Sequence, residues 1–319
     1  MGAPRIWVVI GYPYPWVVAV RLANLSLGQT RIGANGEAMG ATLAFAWSLP
    51  PVTVSFRVSV ASDRGLVRQV NEDSFVATPP IFLVADGMGG HAFGDRASQT
   101  TARVLQKELS TELPLRPAAV LSAVREANIR VQQIGEEEFA GTTLAGIALV
   151  RDSDEARPHW MAFNIGDSRV YVWNDGVLTQ LSVDHSAVQE LLDEGSITAS
   201  EAASHPDRNI VTRAIGITDE VDPDVWFLPA GGVQSFMICS DGLTKELNDD
   251  AIRAVLEAAD ETASPADRLV AAALAAGGAD NVTVIVVEFE LLDELAMTGA
   301  HAPIPQRLEE TLPRIGELT

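Results

Sequence analysis

Acidic residues follow strand-like apolar segments at three places in the chain. Asp86, Asp167 and Asp241 each come directly after such a segment, or one residue later, and each has a glycine beside it. A buried strand is a rigid support for a carboxylate, and a neighbouring glycine lets backbone carbonyls or a bulky anion approach closely. A strand that ends in an Asp-Gly turn would explain any one of these segments. The repetition favours one shared site.

Two further acidic groups extend this pattern. Asp280 precedes the apolar segment 281–287, and Glu72 and Asp73 precede the segment 74–76. Carboxylates gathered at one place repel one another unless cations neutralise them. The chain has no histidine or cysteine pair with the spacing of zinc ligands. Oxygen ligands alone favour a hard cation, Mg²⁺ or Mn²⁺.

Composition narrows the classes of protein that this sequence can represent. The chain has 319 residues, 47% of them hydrophobic, which is enough for one large domain or two small ones. Its formal net charge of −21 argues against binding of nucleic acid through phosphate contacts. A single cysteine, Cys239, excludes a disulfide framework and favours a cytoplasmic location.

Both ends of the chain differ from its middle. The apolar run in residues 1–51 is interrupted by Gly11, Pro13 and Pro15, so no membrane span is expected there, and no clear signal-peptide cleavage site follows it. We expect residues 1–51 to be an atypical extension, either disordered or the product of a start assigned upstream of a natural beginning near Val52. A localisation segment is the alternative. Residues 291–319 contain three prolines and are expected to form a surface or disordered tail.

The middle of the chain, residues 52–290, reads as one domain. Helices are predicted over about 94–109, 117–134, 249–258 and 265–276, with strands between them. Two consecutive helices followed by strands favour an α+β arrangement. Residues 184–215 are polar and partly helical, and we expect them to border a cleft, with His185 and His205 in surface or flap positions.

Several hard cations and one well-placed arginine suit hydrolysis at phosphorus. Two cations about 3.5–4 Å apart can share a water molecule and lower its pKa, so no protein nucleophile is needed. A thiol phosphatase would need an arginine six positions after its cysteine. Lys245 stands at that position after Cys239, which itself lies in an apolar strand. We reject the thiol mechanism.

Six motifs appear in the order in which they occur in the PP2C-type, metal-dependent Ser/Thr protein phosphatases, so the sequence resembles this family. Met88 makes it similar to the bacterial branch. The resemblance covers about residues 56–290. The motifs are Asp63-x-Gly65-x-x-Arg68-x-x-Asn71-Glu72-Asp73, Asp86-Gly87-Met88-Gly89-Gly90-His91, Gly141-Thr142-Thr143, Gly166-Asp167-Ser168-Arg169, Ser240-Asp241-Gly242 and Asp280-Asn281.

The resemblance implies a four-layer αββα sandwich of two antiparallel sheets, with two Mn²⁺ or Mg²⁺ ions at one end of the sheets and a metal-bridging hydroxide as the nucleophile. Asp86 would bridge the two ions, with the carbonyl of Gly87 on one of them. Asp241 and Asp280 would hold the other. Asp73 would bind through a side-chain oxygen or through water.

The resemblance also implies roles around these ligands. Asp167, with Asp241, would form a weaker site for a third ion. Arg68 would hold the substrate phosphate, as a bidentate guanidinium does well. Residues 184–215 would form the flap that shapes substrate access.

The general acid is the point at which this sequence departs from the eukaryotic members. They place a histidine where Met88 stands here. His91 is the nearby candidate, although a histidine at the start of a helix is as often structural. A metal-bound water is the alternative proton donor.

The resemblance implies a cytoplasmic, monomeric protein phosphatase that removes phosphate from Ser and Thr and counteracts bacterial Ser/Thr kinases. A catalytically silent module that acts by binding is the alternative. Such a module is expected to have lost one of Asp86, Asp241, Asp280 or Arg68, and all four are present.

Overall fold

The computed structural model describes residues 6–8, 41–49, 52–89, 93–110, 115–134, 140–151, 158–202, 205–258 and 262–293. Thirteen strands lie in these ranges: β1 (Ile6–Val8), β2 (Ala41–Leu49), β3 (Val52–Asp63), β4 (Asp73–Thr78), β5 (Ile81–Gly89), β6 (Ala140–Thr142), β7 (Leu144–Val150), β8 (His159–Ile165), β9 (Arg169–Asn174), β10 (Val177–Gln180), β11 (Asp224–Pro229), β12 (Gly232–Cys239) and β13 (Val282–Asp293).

Seven helices lie in the same ranges: α1 (Phe93–Leu109), α2 (Pro117–Ile134), α3 (Ala187–Asp193), α4 (Ala199–Ala202), α5 (Asp241–Thr244), α6 (Asp249–Glu257) and α7 (Pro265–Ala276). The four long helices agree with the sequence prediction to within one residue at each end. None of the helices in the described ranges is long and apolar enough to cross a membrane.

The strands form two sheets. The order of the first is β1-β11-β8-β7-β5-β4, with β6 also paired to β5, and the order of the second is β10-β9-β12-β13-β3-β2. Neighbouring strands are antiparallel, as predicted, except that β1 runs parallel to β11.

An aromatic core holds the two sheets face to face. Phe82 and Trp160 on the first sheet contact Phe56, Phe236 and Phe289 on the second, with ring centroids 5.0–6.1 Å apart. Trp160 and Phe289 meet edge to face at an interplanar angle of 85°. Such aromatic pairs add stability beyond the area that they bury.

Helices cover the outer face of each sheet. Apolar side chains of α1 and α2 pack on the first sheet, and those of α6 and α7 pack on the second. The layer order is therefore helix, sheet, sheet, helix, which confirms the predicted αββα sandwich.

The two chain ends differ in part from what the sequence indicated. Within the extension 1–51, β2 pairs with β3 from Leu49 opposite Val52 to Ala41 opposite Val60. The strand β13 continues to Asp293 because the twelve residues of β3 provide partners along its whole length. The prediction of a tail from residue 291 is therefore wrong for residues 291–293. The expectation that the extension is disordered is likewise wrong for residues 6–8 and 41–49, which form the paired strands β1 and β2. The rest of both ends lies outside the described residues.

Candidate metal centre

Five carboxylates meet where both sheets end. Asp73 on β4 lies directly opposite Asp86 on β5. Asp167 lies in the turn between β8 and β9, Asp241 is the first residue of α5, and Asp280 stands two residues before β13. The first sheet therefore supplies Asp73 and Asp86, while the elements after β12 and before β13 supply Asp241 and Asp280.

These carboxylates lie close enough together for the charge of one to shift the pKa of another. Burial raises the pKa of Asp73 to about 7, and the charges of Asp241 and Asp280 add to this effect. Burial and the charge of Asp241 likewise raise the pKa of Asp167 to about 7. The pKa of Asp86 lies well above its ordinary value because of burial and the charge of Asp73. Near neutral pH such a cluster favours binding of protons or cations.

Two carboxylate oxygens in the cluster are available to a cation. The Ser240 hydroxyl donates to Asp73 Oδ2 at 2.8 Å and itself accepts from the Thr283 amide at 2.9 Å. The other oxygen, Asp73 Oδ1, is buried with no hydrogen-bond partner among the described residues, and Asp241 Oδ1 is in the same condition. Buried acceptors of this kind are rare unless a bound ion or water completes them. They fit a hard cation.

The backbone of Asp86 is held by the Gly-Thr-Thr motif. The Asp86 amide donates to Thr143 Oγ1 at 3.0 Å, while the Thr143 amide and the Thr142 hydroxyl both donate to the Asp86 carbonyl at 2.9 Å. The strand β5 also continues past Asp86 to Gly89, paired with β6. The sequence reading ended this strand at residue 85, which is wrong because the pairing with β6 is long-range.

Two glycines allow the elements of the site to approach closely. A Cβ on Gly242 would lie 1.9 Å from the carbonyl oxygen of Asn281, so only glycine lets the start of α5 bring Asp241 beside Asp280. Gly65 has φ +79°, and a Cβ there would lie 2.2 Å from the Asp280 carbonyl oxygen. The loop that carries Arg68 therefore lies directly against Asp280.

Asn281 shapes this loop from inside. Its side-chain Nδ2 donates to the backbone carbonyls of Arg64 at 2.8 Å and Val70 at 2.9 Å, and its Oδ1 accepts from the backbone amide of Glu72 at 2.9 Å. Asn281 belongs to the sequence motif, but no structural role was predicted for it. The only sequence signal for such a role is its position next to Asp280.

Two cationic side chains contact the cluster. Arg68 makes a bidentate pair with Asp280, with Nε 2.8 Å from Oδ1 and Nη2 3.0 Å from Oδ2. Lys245 Nζ lies 2.5 Å from Asp241 Oδ2 and 2.9 Å from Asp280 Oδ2. Burial alone would raise the pKa of Asp280, but Lys245 and Arg68 outweigh it and lower that pKa.

The contacts of Lys245 with Asp241 and Asp280 were not predicted from the sequence, in which this residue bore only on the rejection of a thiol mechanism. The missed signal was the spacing, because a lysine four residues after Asp241 meets it on the same side of a helical turn. Lys245 therefore faces Asp241 and Asp280. Among the described residues, no three acidic, histidine or cysteine side chains are arranged to hold a metal ion as they stand.

The remaining residues singled out in the sequence lie at different places relative to the cluster. Arg68 lies at the rim of the cluster with its side chain 49% exposed. Gly87 lies on β5, and its amide donates to the Glu72 carbonyl at 3.2 Å. His91 lies outside the described residues. Cys239 is buried in β12, and burial raises the pKa of its thiol to about 12, which agrees with the rejection of a thiol nucleophile.

The segment 184–215 is anchored beside the cluster. His185 is buried, and its Nδ1 accepts from the Gly166 amide at 3.1 Å, next to Asp167. His185 Nε2 lies 3.3 Å from Asp224 Oδ2, and Arg213 donates to Asp224 Oδ1 at 2.8 Å. Of the expected surface or flap position of His185, the surface alternative is therefore wrong, because the side chain is buried and ties the base of the segment to the turn that carries Asp167.

The fold and the site together define the class of this protein: an αββα sandwich that carries a cluster of buried and half-buried carboxylates where its two sheets end. The sequence profile described as protein phosphatase 2C matches residues 66–276. The chain belongs to the protein phosphatase 2C family.

Named relatives agree with this membership. The chain is 40% identical over 243 residues to the serine/threonine protein phosphatase PstP of Mycobacterium tuberculosis, over 74% of this chain and 46% of that protein. It is 33% identical to the serine/threonine phosphatase stp of Listeria welshimeri, over 73% of this chain and 96% of that protein. The chain thus spans about half the length of the mycobacterial relative.

Solved structures are similar as well. The catalytic domain of PstP in complex with two manganese ions has a TM-score of 0.66 and 38% identity, covering 75% of this chain and 100% of that one. The phosphatase MsPP of Mycobacterium smegmatis in complex with cacodylate has a TM-score of 0.64 and 36% identity, covering 72% and 97%.

Proposed function

We propose that this protein is a metal-dependent phosphatase that hydrolyses phosphoserine and phosphothreonine in proteins. The observation that carries the proposal is the cluster of Asp73, Asp86, Asp241 and Asp280, in which Asp73 is buried, the other three are half-buried, and two carboxylate oxygens lack a partner among the described residues. The names of the relatives and the manganese in a similar structure support it.

The carboxylates divide the work of binding two divalent cations. Asp86, Asp241 and Asp280 would hold these cations through their carboxylates, the backbone carbonyl of Gly87 would contribute a further oxygen, and Asp73 would bind directly or through water. When bound, the cations supply an activated water and neutralise charge at phosphorus. Whether Mn²⁺ or Mg²⁺ serves, and whether Asp167 helps to hold a third cation, are parts of this proposal.

Arg68 is proposed to hold the substrate phosphate. Its guanidinium now pairs with both oxygens of Asp280, in the geometry with which it would bind a phosphate. A cation held by Asp280 would compete with this pairing, and the half-exposed guanidinium of Arg68 would then be available to a phosphate.

The remaining parts of the proposal concern access, proton transfer and setting. The segment 184–215 is proposed to shape substrate access, since its base is tied to Gly166 through His185. His91 stays a candidate proton donor to the leaving group. We further propose a monomeric, cytoplasmic enzyme, a location favoured by the single buried cysteine, that opposes Ser/Thr kinases.

The test is hydrolysis of a phosphothreonine peptide and of para-nitrophenyl phosphate by the full chain, with Mn²⁺ and with EDTA. We expect turnover that needs Mn²⁺ and that EDTA removes. Asp250, whose side chain is 86% exposed on α6, provides the control variant Asp250→Asn. Turnover that persists in EDTA, or unchanged turnover after Asp241→Asn, would refute the metal assignment.

The contacts of Lys245 favour the catalytically silent module as the second candidate. A lysine between Asp241 and Asp280 is a cation that the chain supplies itself. A silent module would bind the phosphopeptide without releasing phosphate at any Mn²⁺ concentration. Equilibrium binding measured beside the turnover assay separates the two candidates.

A further inference from the structure

Lys245 places a positive charge inside the carboxylate cluster. It follows the short helix α5, whose first residue is Asp241, and its Nζ reaches Asp241 Oδ2 at 2.5 Å and Asp280 Oδ2 at 2.9 Å. The chain contains only one other lysine, Lys107.

The surroundings of Lys245 distinguish it from a surface ion pair. Its side chain is 32% exposed, whereas that of Lys107, which pairs with Glu108 on α1, is 83% exposed. Burial would lower the pKa of Lys245, but Asp241 and Asp280 outweigh it and raise that pKa, so the ammonium stays charged. Removal of one member of such a shielded pair leaves the other charge uncompensated, which costs more than the same removal in an exposed pair.

The oxygens that Lys245 contacts belong to two of the proposed metal ligands. At Asp241 a divalent cation can take Oδ1, which has no partner among the described residues, but both oxygens of Asp280 are already paired, Oδ1 with Arg68 and Oδ2 with Lys245. One carboxylate oxygen cannot fully serve both an ammonium and a cation, and the two positive charges repel each other. Binding of the cation is therefore an exchange in which the lysine must give up contacts. Because Lys245 is attached to the chain beside the site, it returns to these oxygens whenever the cation leaves.

We infer that Lys245 is a built-in counter-ion that competes with the divalent cation for Asp241 and Asp280 and thereby weakens metal binding. This inference rests on the proposed metal role of those two aspartates. It assigns Lys245 two opposite effects. The lysine stabilises the metal-free protein by neutralising the cluster, and it raises the concentration of cation that the site needs.

Mn²⁺ binding to the full chain tests the inference without any turnover. Free Mn²⁺ is measured by electron paramagnetic resonance during titration of the wild-type protein, Lys245→Met, Lys245→Arg and Lys107→Met. We expect Lys245→Met to bind Mn²⁺ more tightly by on the order of tenfold, the effect of losing one hydrogen-bonded charge. Lys107→Met should match the wild-type protein, and Lys245→Arg should stay close to it.

Thermal unfolding in EDTA supplies the second half of the expected result. Lys245→Met should have a lower Tm than the wild-type protein in EDTA and should gain more Tm than the wild-type protein when Mn²⁺ is added. A lysine with only a structural role would lower the Tm without tightening Mn²⁺ binding. That result would overturn the inference.

The outcomes separate this inference from the proposed function. Equal Mn²⁺ affinity in the wild-type protein and Lys245→Met would overturn the inference alone. An equal gain in Lys245→Met and Lys107→Met would do the same, since it would reflect net charge only. Absence of Mn²⁺ binding in all four proteins would overturn the metal assignment and the inference together.

Chemical labelling of the wild-type protein gives a test that needs no variant. With two lysines in the chain, an amine-reactive acetylating reagent followed by mass spectrometry reports on each separately. We expect Lys245 to react slowly in EDTA and several-fold faster with saturating Mn²⁺, while Lys107 reacts at one rate in both. An unchanged rate at Lys245 would show that the cation does not displace it and would overturn the inference.

Discussion

Asp73 on β4 and Asp86 on β5 lie directly opposite each other across an antiparallel pair of strands. Like charges in this relationship destabilise a sheet, and here burial together with the charge of Asp73 raises the pKa of Asp86. The fold tolerates an unfavourable charge pair at this place. That is expected of a binding site whose ligand supplies the opposite charge.

The stability of the metal-free protein should fall as pH rises from about 5 to 7. Asp73 and Asp167 have pKa values of about 7 in the folded protein against 3.8 ordinarily. Between these values the folded state binds more protons than the unfolded state, so the free energy of unfolding decreases with rising pH. In EDTA, Tm should be higher at pH 5.5 than at pH 7.5 by several degrees.

Scanning calorimetry of the full chain measures this slope, and Asp73→Asn supplies the matched control. The variant removes one titrating carboxylate while keeping its shape, and its Tm should depend less on pH. Saturating Mn²⁺ should flatten the dependence as well. A Tm in EDTA that rises toward pH 7.5 would contradict the assignment of the cluster.

Asp86→Asn should separate stability from function. Loss of one buried charge relieves repulsion, so Tm in EDTA should rise. Turnover should fall by on the order of a hundredfold or more, because the variant lacks a charge that acts directly at the reacting centre. Asp250→Asn, at an exposed position, should change neither quantity, and a variant of Asp86 that loses Tm and keeps turnover would show that the residue is only structural.

Arg68→Ala should act mainly on substrate binding. Loss of hydrogen bonds from a charged donor is worth about 1.5–3 kcal/mol, so KM should rise roughly ten- to a hundredfold with a smaller change in kcat. Arg57, whose side chain is 73% exposed in a pair with Glu288, provides the control Arg57→Ala. Steady-state kinetics on a phosphothreonine peptide measures both constants. A fall in kcat at constant KM would contradict a phosphate-binding role for Arg68.

Gly242→Ala should damage the centre although it adds only one methyl group. The new Cβ would lie 1.9 Å from the Asn281 carbonyl oxygen, so α5 and Asp241 must move away from Asp280. Overpacking of this kind costs about 1–3 kcal/mol in the free energy of unfolding, and Mn²⁺ affinity should fall with it.

Gly231→Ala is the matched control, since no atom of the described residues lies within 4 Å of the Cβ that it would add. Urea unfolding and Mn²⁺ titration of both glycine variants make the comparison. Equal effects of the two substitutions would mean that close approach at Gly242 has no special importance.

Local sequence patterns predicted the long helices, an α+β arrangement and acidic residues at strand ends, whereas the αββα sandwich and the ligand set followed from the resemblance to the PP2C-type phosphatases. Helices such as α2 and α7 follow from apolar spacing and from prolines at their first turns, and Asp86 and Asp241 follow from the glycines beside them. These signals lie within a few residues of one another. The motif order then predicted that the acidic residues converge.

What the sequence did not predict depends on contacts between distant segments. The continuation of β5 past Asp86 requires β6, which lies about fifty residues later. The burial of His185 requires Gly166 and Asp224, and the importance of Lys245 requires Asp280, 35 residues away. No local pattern carries these pairings, since each arises only when the two sheets pack together.

Both sheets contribute carboxylates to the cluster, so the geometry of the cluster depends on the distance between the sheets. Asp73 and Asp86 move with one sheet, and Asp241 and Asp280 move with the elements that join β12 and β13 of the other. A small parting of the layers at this end would disperse the four carboxylates while every strand kept its hydrogen bonds. Heating or mild denaturant should therefore abolish the centre before secondary structure is lost, so inactivation would precede unfolding.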